Sequence, residues 1–274
     1  MSILEAVVLG LVQGLTEFIP ISSTGHLKIV PELLGWGDPG APASAVIQFG
    51  TILAVLIYFA ADLRRLAAGF FRGLGRRTYL ADPDFAEAWY VILGTIPIVI
   101  VGLLLKKQIE TTFRSTWIVA GAMIIVAVLM QISEVYARNR GFRDWSTFSG
   151  KDALIIGLGQ CLSLVPGSSR SGSTIMTALF RRIPHAAAAR FSFVMSIPAI
   201  TAAGLLELIG EWEELALLGW VPILVATLVA FVSGYASIAF LLRYLRTHST
   251  HIFIYYRYVL GAVMIVLLLT GWMR

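Results

Sequence analysis

Long apolar stretches separated by short polar connections run through most of the chain. A helix that crosses a membrane needs ~20 mostly apolar residues. Six segments meet this requirement, at about residues 43–60, 88–105, 116–136, 186–207, 219–242 and 253–272. We therefore expect six transmembrane helices.

Two further apolar segments are too short or too polar to cross the membrane. They cover residues 3–19, which stop at Pro20, and residues 153–165, which stop at Pro166. Each is followed by a cluster of Ser and Gly and then by a second short apolar piece, at 27–34 or 174–180. This pattern predicts two re-entrant hairpins, each made of a helix, a break and a second helix.

The two halves of the chain share a sequence pattern. The segment "LGLVQGLTEFIPISSTG" at 9–25 aligns with "IGLGQCLSLVPGSSRSG" at 156–172. Each half would hold one hairpin and three spans, and because three is an odd number the second half would begin on the opposite side of the membrane. We predict a single membrane domain made of two inverted repeats, at about residues 1–140 and 150–274.

The composition agrees with this interpretation, because 58% of the residues are hydrophobic and only 14% are charged. Soluble domains typically have about a quarter of their residues charged. The expected fold class is therefore an all-α polytopic membrane protein with six transmembrane helices and two re-entrant helix-loop-helix hairpins, arranged as an inverted-topology repeat.

The positions of Lys and Arg support the predicted topology. Fifteen basic residues fall on one predicted face and five on the other, with Arg170 assigned to neither. Because cytoplasmic loops are enriched in Lys and Arg, both termini are expected outside. The net charge of +5 then reflects orientation, and we expect no nucleic-acid partner. The fifteen are Arg64, Arg65, Arg72, Arg76, Arg77, Arg138, Arg140, Arg143, Lys151, Arg181, Arg182, Arg190, Arg243, Arg246 and Arg257.

The predicted hairpins carry charged residues at membrane depth. Gly10, Gln13, Gly14 and Glu17 recur at helical spacing and form a small, polar stripe, and Arg170 lies in the second break. A charged side chain at the bilayer centre costs at least ~2.5 to 3.5 kcal/mol, so Glu17 and Arg170 are candidate functional residues. A structural ion pair that joins the hairpins is the alternative interpretation.

The two breaks are suited to binding a phosphate group. Their glycines allow the backbone to bend, their hydroxyl groups can cap the following helices, and N–H groups at helix starts attract anions. Arg170 adds a planar fork that matches phosphate oxygens. Serine and glycine also occur at tight turns for conformational reasons alone. The candidate substrate-binding residues are Gln13, Ser22, Thr24, Gly25, Ser168, Ser169, Ser171 and Gly172.

Glu17 would repel a phosphate unless a cation or a proton intervened. Gln13 and Glu17 are oxygen ligands one helical turn apart, which suits Mg²⁺ or Ca²⁺ shared with phosphate oxygens. His26 follows Ser23 by three residues, close enough to activate a hydroxyl or to protonate a leaving group. A hydrogen-bonded cap at a helix start is the alternative role for His26.

The motifs at the two breaks resemble those of a known family. "QGLTEFIPISSTGH" and "PGSSRSG" are similar to the two signature motifs of the undecaprenyl-diphosphate phosphatases, the bacitracin-resistance family. The likeness extends along the whole chain, including its length and duplicated layout. It implies a multi-pass enzyme of the bacterial cytoplasmic membrane that removes the terminal phosphate of undecaprenyl diphosphate at the outer face. The product would be the monophosphate carrier of peptidoglycan precursors.

The resemblance also implies a role for each matching residue. Glu17 would be a metal ligand or general base, Ser23 the nucleophile, His26 an acid or base assistant and Arg170 the phosphate clamp. Gln13, at a motif position that holds Glu or Gln in the family, would assist a divalent cation, usually Mg²⁺. Direct attack by water, with Ser23 only donating a hydrogen bond, is left open.

A transporter or lipid-phosphate flippase is the competing class of function. Inverted repeats with broken helices that meet at the membrane midplane are the usual plan of secondary transporters. Release of phosphate by the detergent-purified protein would distinguish the two classes. The expected partners are a polyisoprenyl diphosphate substrate and membrane lipids, and a homodimer is left open.

Overall fold

The computed structural model describes residues 1–36, 40–74, 82–210 and 219–273, and these ranges contain helices and no strand. Within these ranges, three short 3₁₀ helices accompany the α-helices, at Thr112–Arg114, Trp145–Thr147 and Cys161–Leu164. The α-helices are α1 (Ile3–Glu17), α2 (Ser23–Leu33), α3 (Gly40–Tyr58), α4 (Ala60–Gly73), α5 (Pro83–Leu104), α6 (Lys106–Glu110), α7 (Thr116–Arg140), α8 (Gly150–Gln160), α9 (Arg170–Phe180), α10 (His185–Gly210), α11 (Trp220–Tyr244) and α12 (His251–Leu269).

Five of these helices are long and apolar enough to cross a membrane, namely α5, α7, α10, α11 and α12. Helices α3 and α4 are bent by 69° at the break between them, and the pair provides a sixth span if it is counted as one. The six apolar runs in the sequence correspond to α3 and these five helices. The prediction of an all-α, multi-pass membrane protein is confirmed.

Each predicted hairpin is a helix, a break and a second helix in the structure. In the first, α1 ends at Glu17 and α2 begins at Ser23. In the second, α8 and a 3₁₀ helix precede α9, which begins at Arg170. The serine clusters therefore form the first turns of α2 and α9, which start earlier than the apolar pieces suggested. That each unit returns to the side of the membrane from which it entered, with the two units entering from opposite sides, stays a prediction.

Serine side chains cap both of the second helices. The hydroxyl of Ser22 accepts a hydrogen bond from the N–H of Gly25 at 3.4 Å, and that of Ser169 accepts one from Gly172 at 3.1 Å. Both serines have a left-handed backbone, with φ of 75° and 67°. Non-glycine residues rarely adopt this conformation, so the surrounding packing must hold it. The chain thus bends at the two serines, and the expectation that Gly25 and Gly172 make the bends is wrong.

Glycines let the first helix of each unit pack tightly against a membrane span. A Cβ at Gly14 of α1 would lie 2.6 Å from the carbonyl oxygen of Ala230 in α11. A Cβ at Gly157 of α8 would lie 2.3 Å from the carbonyl oxygen of Gly94 in α5. Larger residues would push these helices apart. This reciprocal packing between the halves is compatible with two repeats, and the duplication stays a prediction.

Aromatic packing fixes the end of α1. Phe18, directly after Glu17, is fully buried and meets Phe193 of α10 with ring centroids 5.3 Å apart. Phe193 also contacts Phe59, which follows α3, at 6.3 Å. Because Phe18 is fully buried against Phe193, the neighbouring Glu17 has a defined position at the first break.

One arginine that was assigned to the cytoplasmic face lies inside the protein. Arg257 of α12 is 0% exposed, and its guanidinium donates hydrogen bonds to the carbonyl oxygens of Gly167 at 3.0 Å and Met123 at 3.2 Å. The assignment of Arg257 to a membrane face is therefore wrong. Fifteen minus this residue leaves fourteen basic residues on one predicted face against five on the other. The predicted orientation, with both termini outside, therefore does not change.

Candidate active site at the two helix breaks

Glu17 lies at the centre of a polar cluster between the two breaks. Its Oε1 accepts hydrogen bonds from Arg170 at 2.9 Å and Gln48 at 3.2 Å. Its Oε2 accepts hydrogen bonds from Ser23 at 2.7 Å and Gln13 at 3.0 Å. The Glu17 side chain is only 8% exposed. Donors from α1, α2, α3 and α9 thus compensate a buried charge that would otherwise be costly.

Ser23 and Glu17 have the geometry of a nucleophile and its base. Ser23 is the first residue of α2, and its hydroxyl donates to the Glu17 carboxylate at 2.7 Å. A carboxylate that accepts the hydroxyl hydrogen can take the proton when the oxygen attacks. Ser23 is half-buried, so the residue remains partly accessible.

Arg170 brings the second break to the same cluster. It is the first residue of α9, and its side chain, 11% exposed, is paired with Glu17 through Nη2. Its other terminal nitrogen, Nη1, is buried and has no hydrogen-bond partner among the residues that the structure describes. Such an unsatisfied donor is costly, and a bound anion would supply the missing acceptor. The ion pair alone also fits a structural role, but that role leaves Nη1 unexplained.

A direct hydrogen bond joins the two breaks. The N–H of Gly167 donates to the hydroxyl of Thr24 at 3.0 Å. The carbonyl of Gly167 accepts the hydrogen bond from Arg257 described above. Gly167 has φ of 95°, and a Cβ there would lie 2.3 Å from the carbonyl oxygen of Val119 in α7. The expectation that the two breaks meet in space is confirmed.

Gln48 belongs to the cluster, although the sequence analysis did not select it. Its amide donates to Glu17, and its Oε1 accepts a hydrogen bond from Gln13 at 2.6 Å. The signal in the sequence was a single amide in an otherwise apolar span. Of the predicted stripe on α1, Gln13 and Glu17 join this cluster, whereas Gly10 and Gly14 contact α11.

The other hydroxyl groups of the breaks hold the local backbone together. Ser22 bonds to Thr24 at 3.1 Å, and Ser169 bonds to Ser171 at 3.2 Å, in addition to their roles as caps. Ser168 is buried beside them. These contacts shape the breaks, while the first N–H groups of α2 and α9 have no acceptor within their own helices. The two breaks therefore present backbone donors beside the Glu17 cluster.

Gly25 and Gly172 allow close packing at the helix starts. A Cβ at Gly25 would lie 2.9 Å from the sulfur of Met123 in α7, and a Cβ at Gly172 would lie 3.2 Å from the Cβ of Ser169. Their N–H groups donate to the capping serines. Both glycines therefore serve helix capping and packing, and their contact with a substrate stays a prediction.

His26 lies beside the cluster and has other partners. Its Nδ1 donates to the carbonyl of Ser22 at 2.7 Å, and its Nε2 meets the hydroxyl of Tyr256 at 2.6 Å. The two rings are stacked, with centroids 5.5 Å apart. Among the described hydrogen bonds, none joins His26 to Ser23. This geometry corresponds to the alternative interpretation, a hydrogen-bonded cap, and Tyr256 is a partner that the sequence analysis missed.

The two predicted metal ligands, Gln13 and Glu17, are in contact. Within the described ranges, no group of three or more His, Cys, Asp or Glu side chains could hold a metal ion. Mg²⁺ commonly uses one or two carboxylates and completes its shell with water and substrate phosphates. One carboxylate flanked by the amides of Gln13 and Gln48 fits such a substrate-completed site and does not fit an all-protein metal cage.

Comparisons with known proteins identify the family of the chain. Residues 6–263 match the family described as Bacitracin resistance protein BacA. The chain is 51% identical to a protein of Myxococcus xanthus over 99% of this chain and 91% of the relative. It is 49% identical to a protein of Chloroherpeton thalassium and 47% identical to one of Prosthecochloris aestuarii, over 99% of this chain and 98% and 99% of those relatives. All three relatives are named undecaprenyl-diphosphatase.

The match covers both helix breaks and extends into the last membrane helix, α12, so it concerns nearly the whole chain rather than one motif. Glu17, Ser23, His26 and Arg170 all lie within the matched residues. The chain belongs to the bacitracin resistance protein BacA family.

Proposed function

We propose that this chain is an integral membrane phosphatase that hydrolyses undecaprenyl diphosphate to undecaprenyl phosphate and inorganic phosphate. This reaction returns the lipid carrier to peptidoglycan synthesis and gives resistance to bacitracin. The names of the relatives support the substrate and the reaction. The observation that carries the proposal is the hydrogen bond from Ser23 to a Glu17 that is itself paired with Arg170.

In the first step the Ser23 oxygen attacks the distal phosphorus of the diphosphate. The bond between that phosphorus and the bridging oxygen breaks, and undecaprenyl phosphate leaves. The Ser23 proton passes to Glu17, which is 2.7 Å away, and from there to the departing phosphate. The hydrogen bond fixes which oxygen receives the proton before the attack begins.

In the second step water attacks the phosphoserine and releases inorganic phosphate. Glu17 takes a proton from the water, and the Ser23 oxygen recovers a proton as it leaves phosphorus. The same carboxylate can orient water for direct attack on the diphosphate, with Ser23 as a hydrogen-bond donor. Trapping of phosphate on Ser23 distinguishes the two routes.

Arg170 and the helix starts stabilise the charge on phosphate. The buried Nη1 of Arg170 is available for a phosphate oxygen while Nη2 holds Glu17. Backbone N–H groups at the starts of α2 and α9 add partial positive charge. These donors are already held in place before the substrate arrives, which is the condition for effective stabilisation of a transition state.

A divalent cation, Mg²⁺ or Ca²⁺, would be held by Glu17 and the amide oxygen of Gln13 together with phosphate oxygens, and it would neutralise charge on the diphosphate. His26 is assigned as a positioning residue. In its neutral form it holds the first turn of α2 between the carbonyl of Ser22 and the hydroxyl of Tyr256. Ser23 is thereby kept next to Glu17.

The excess of basic residues on one predicted face supports an orientation in which the first hairpin enters from outside. In this arrangement the inverted repeats bring the two breaks together near the membrane midplane, and the site receives its substrate from the outer face of the bacterial cytoplasmic membrane. Cysteine accessibility at residues of α2 and α9 in intact cells tests this orientation.

The decisive experiment measures phosphate release from undecaprenyl diphosphate by the protein purified in detergent. We expect release that requires a divalent cation and that is lost in Ser23→Ala and in Glu17→Gln. Ser146→Ala is the control, because Ser146 is exposed in the connection before α8. Near-normal turnover by Ser23→Ala would overturn the covalent route. No release by the wild type would favour a flippase, since detergent leaves no membrane to cross.

A further inference from the structure

A basic pocket lies at the far end of α9 from the candidate active site. Its volume is about 330 Å³. Helix α9 has 11 residues, so at ~1.5 Å per residue the pocket is ~16 Å from the helix start that carries Arg170. The lining residues are Tyr136, Arg140, Arg143, Phe180, Arg181 and Arg182.

The positive charge of this pocket exceeds its nearby negative charge. Asp152 of α8 pairs with Arg143 at 3.0 Å and with Arg181 at 2.7 Å, so one carboxylate serves two guanidinium groups. Arg140 lies over the ring of Tyr136, 5.9 Å from its centroid. Four arginines line the pocket and none of the lining residues is acidic. The pocket therefore favours an anion.

Arg182 occupies a backbone position that ordinarily holds glycine. Its φ is 61°. Its N–H donates to the carbonyl of Leu179 at 2.8 Å, and the N–H of Ile183 donates to the carbonyl of Ala178 at 3.0 Å. This is the Schellman pattern of helix ends, in which glycine is the usual residue at the left-handed position. An arginine here is unfavourable for the backbone, and the turn directs its side chain to the pocket wall.

An apolar face of α7 leads to the pocket. Exposed side chains at helical spacing run along this membrane span toward its C-terminal end, where Arg140 stands. Such a face contacts lipid chains, and the end of a span lies at the level of lipid headgroups. The exposed residues are Ile125, Val128, Ile132, Val135 and Tyr136.

We infer that this pocket binds the headgroup phosphate of an anionic phospholipid whose acyl chains lie along the exposed face of α7. The surplus arginines hold the phosphate, and the apolar face distinguishes a lipid from free phosphate. The occupant is a lipid of the leaflet that the positive-inside rule assigns to the cytoplasm. This site is separate from the proposed phosphatase site and does not depend on it.

The test uses native mass spectrometry of the detergent-purified full chain with added phosphatidylglycerol or, in parallel, phosphatidylcholine. We expect phosphatidylglycerol to remain bound in preference to phosphatidylcholine. Each of Arg140→Gln and Arg182→Gly should weaken its binding about fivefold, the equivalent of about 1 kcal/mol per basic residue. Arg243→Gln and Arg246→Gln are matched controls, because these exposed arginines lie at the end of α11, outside the pocket.

A stability measurement separates binding from folding. Glycine relieves the left-handed strain at position 182, so Arg182→Gly should keep or raise the melting temperature while lipid binding falls. Phosphate release in lipid-free detergent should be unchanged. Three results would overturn the inference: unchanged phosphatidylglycerol binding in a variant that combines Arg140→Gln with Arg182→Gly, an equal loss in the α11 controls, or displacement of phosphatidylglycerol by inorganic phosphate alone.

Discussion

Replacing Gln48 by methionine tests whether the amide around Glu17 positions the catalytic carboxylate. The change removes the hydrogen bond to Glu17 at 3.2 Å and the acceptor for Gln13 at 2.6 Å, while it keeps a side chain of similar length. Glu17 keeps its three other donors, so its charge stays compensated. We therefore expect a fold that is retained and a carboxylate that is less well oriented.

The magnitude follows from the number of hydrogen bonds lost. A hydrogen bond to a charged group contributes ~1.5 to 3 kcal/mol. If the transition state loses an amount of stabilisation near the lower end of this range, kcat falls about tenfold. Gln48 contacts protein groups in the cluster, so KM should change less than about twofold.

The assay is phosphate release in detergent as a function of substrate concentration, together with thermal unfolding of each variant. Gln131→Met is the matched control. Gln131 is also an amide in a membrane span, and it accepts a hydrogen bond from Tyr258 at 2.7 Å, away from Glu17. The reasoning fails if Gln48→Met keeps kcat within about twofold of the wild type, or if both methionine variants lose kcat equally.

Three further changes test other parts of the site. Arg170→Ala should lower kcat by about 10²- to 10³-fold while the protein still purifies as a folded species, and a variant that fails to fold would instead favour a structural ion pair. Thr24→Val leaves the N–H of Gly167 without its acceptor, so the melting temperature should fall by an amount equivalent to ~1 to 3 kcal/mol; an unchanged value would show that this bond does not join the breaks. Gly157→Ala should destabilise the protein because its Cβ would meet the backbone of α5, whereas Gly121→Ala, with open space around it, should not.

The spans and the breaks could be predicted from the sequence because both are local properties. A run of ~20 apolar residues determines a membrane helix whatever it packs against. The breaks were visible because Pro20 and Pro166 interrupt apolar segments before clusters of Ser and Gly. The start of each second helix was placed too late, since the left-handed caps at Ser22 and Ser169 depend on tertiary packing.

The partners of the polar side chains could be predicted only in part. Glu17 and Arg170 stood out because charge is rare at membrane depth, and the structure pairs them. Gln48 was not selected as a site residue, and Arg257 was assigned to the cytoplasmic face. Both errors arise because the sequence position of a residue within a span does not show which neighbour its side chain meets. His26 shows the same limit, since its spacing from Ser23 suggested a contact while its ring meets Tyr256.

The alignment of the two halves sharpens the relation between Ser23 and Arg170. In the pairing of residues 9–25 with 156–172, these two are counterparts, and each is the first residue of a helix capped by a left-handed serine. Under the duplication hypothesis, one copy of this position became a nucleophile and the other became a cation. Both now contact the same Glu17, one at each carboxylate oxygen. Since neither half holds both groups, the proposed chemistry requires the two breaks to meet, and the bond from Gly167 to Thr24 maintains that contact independently of the charges.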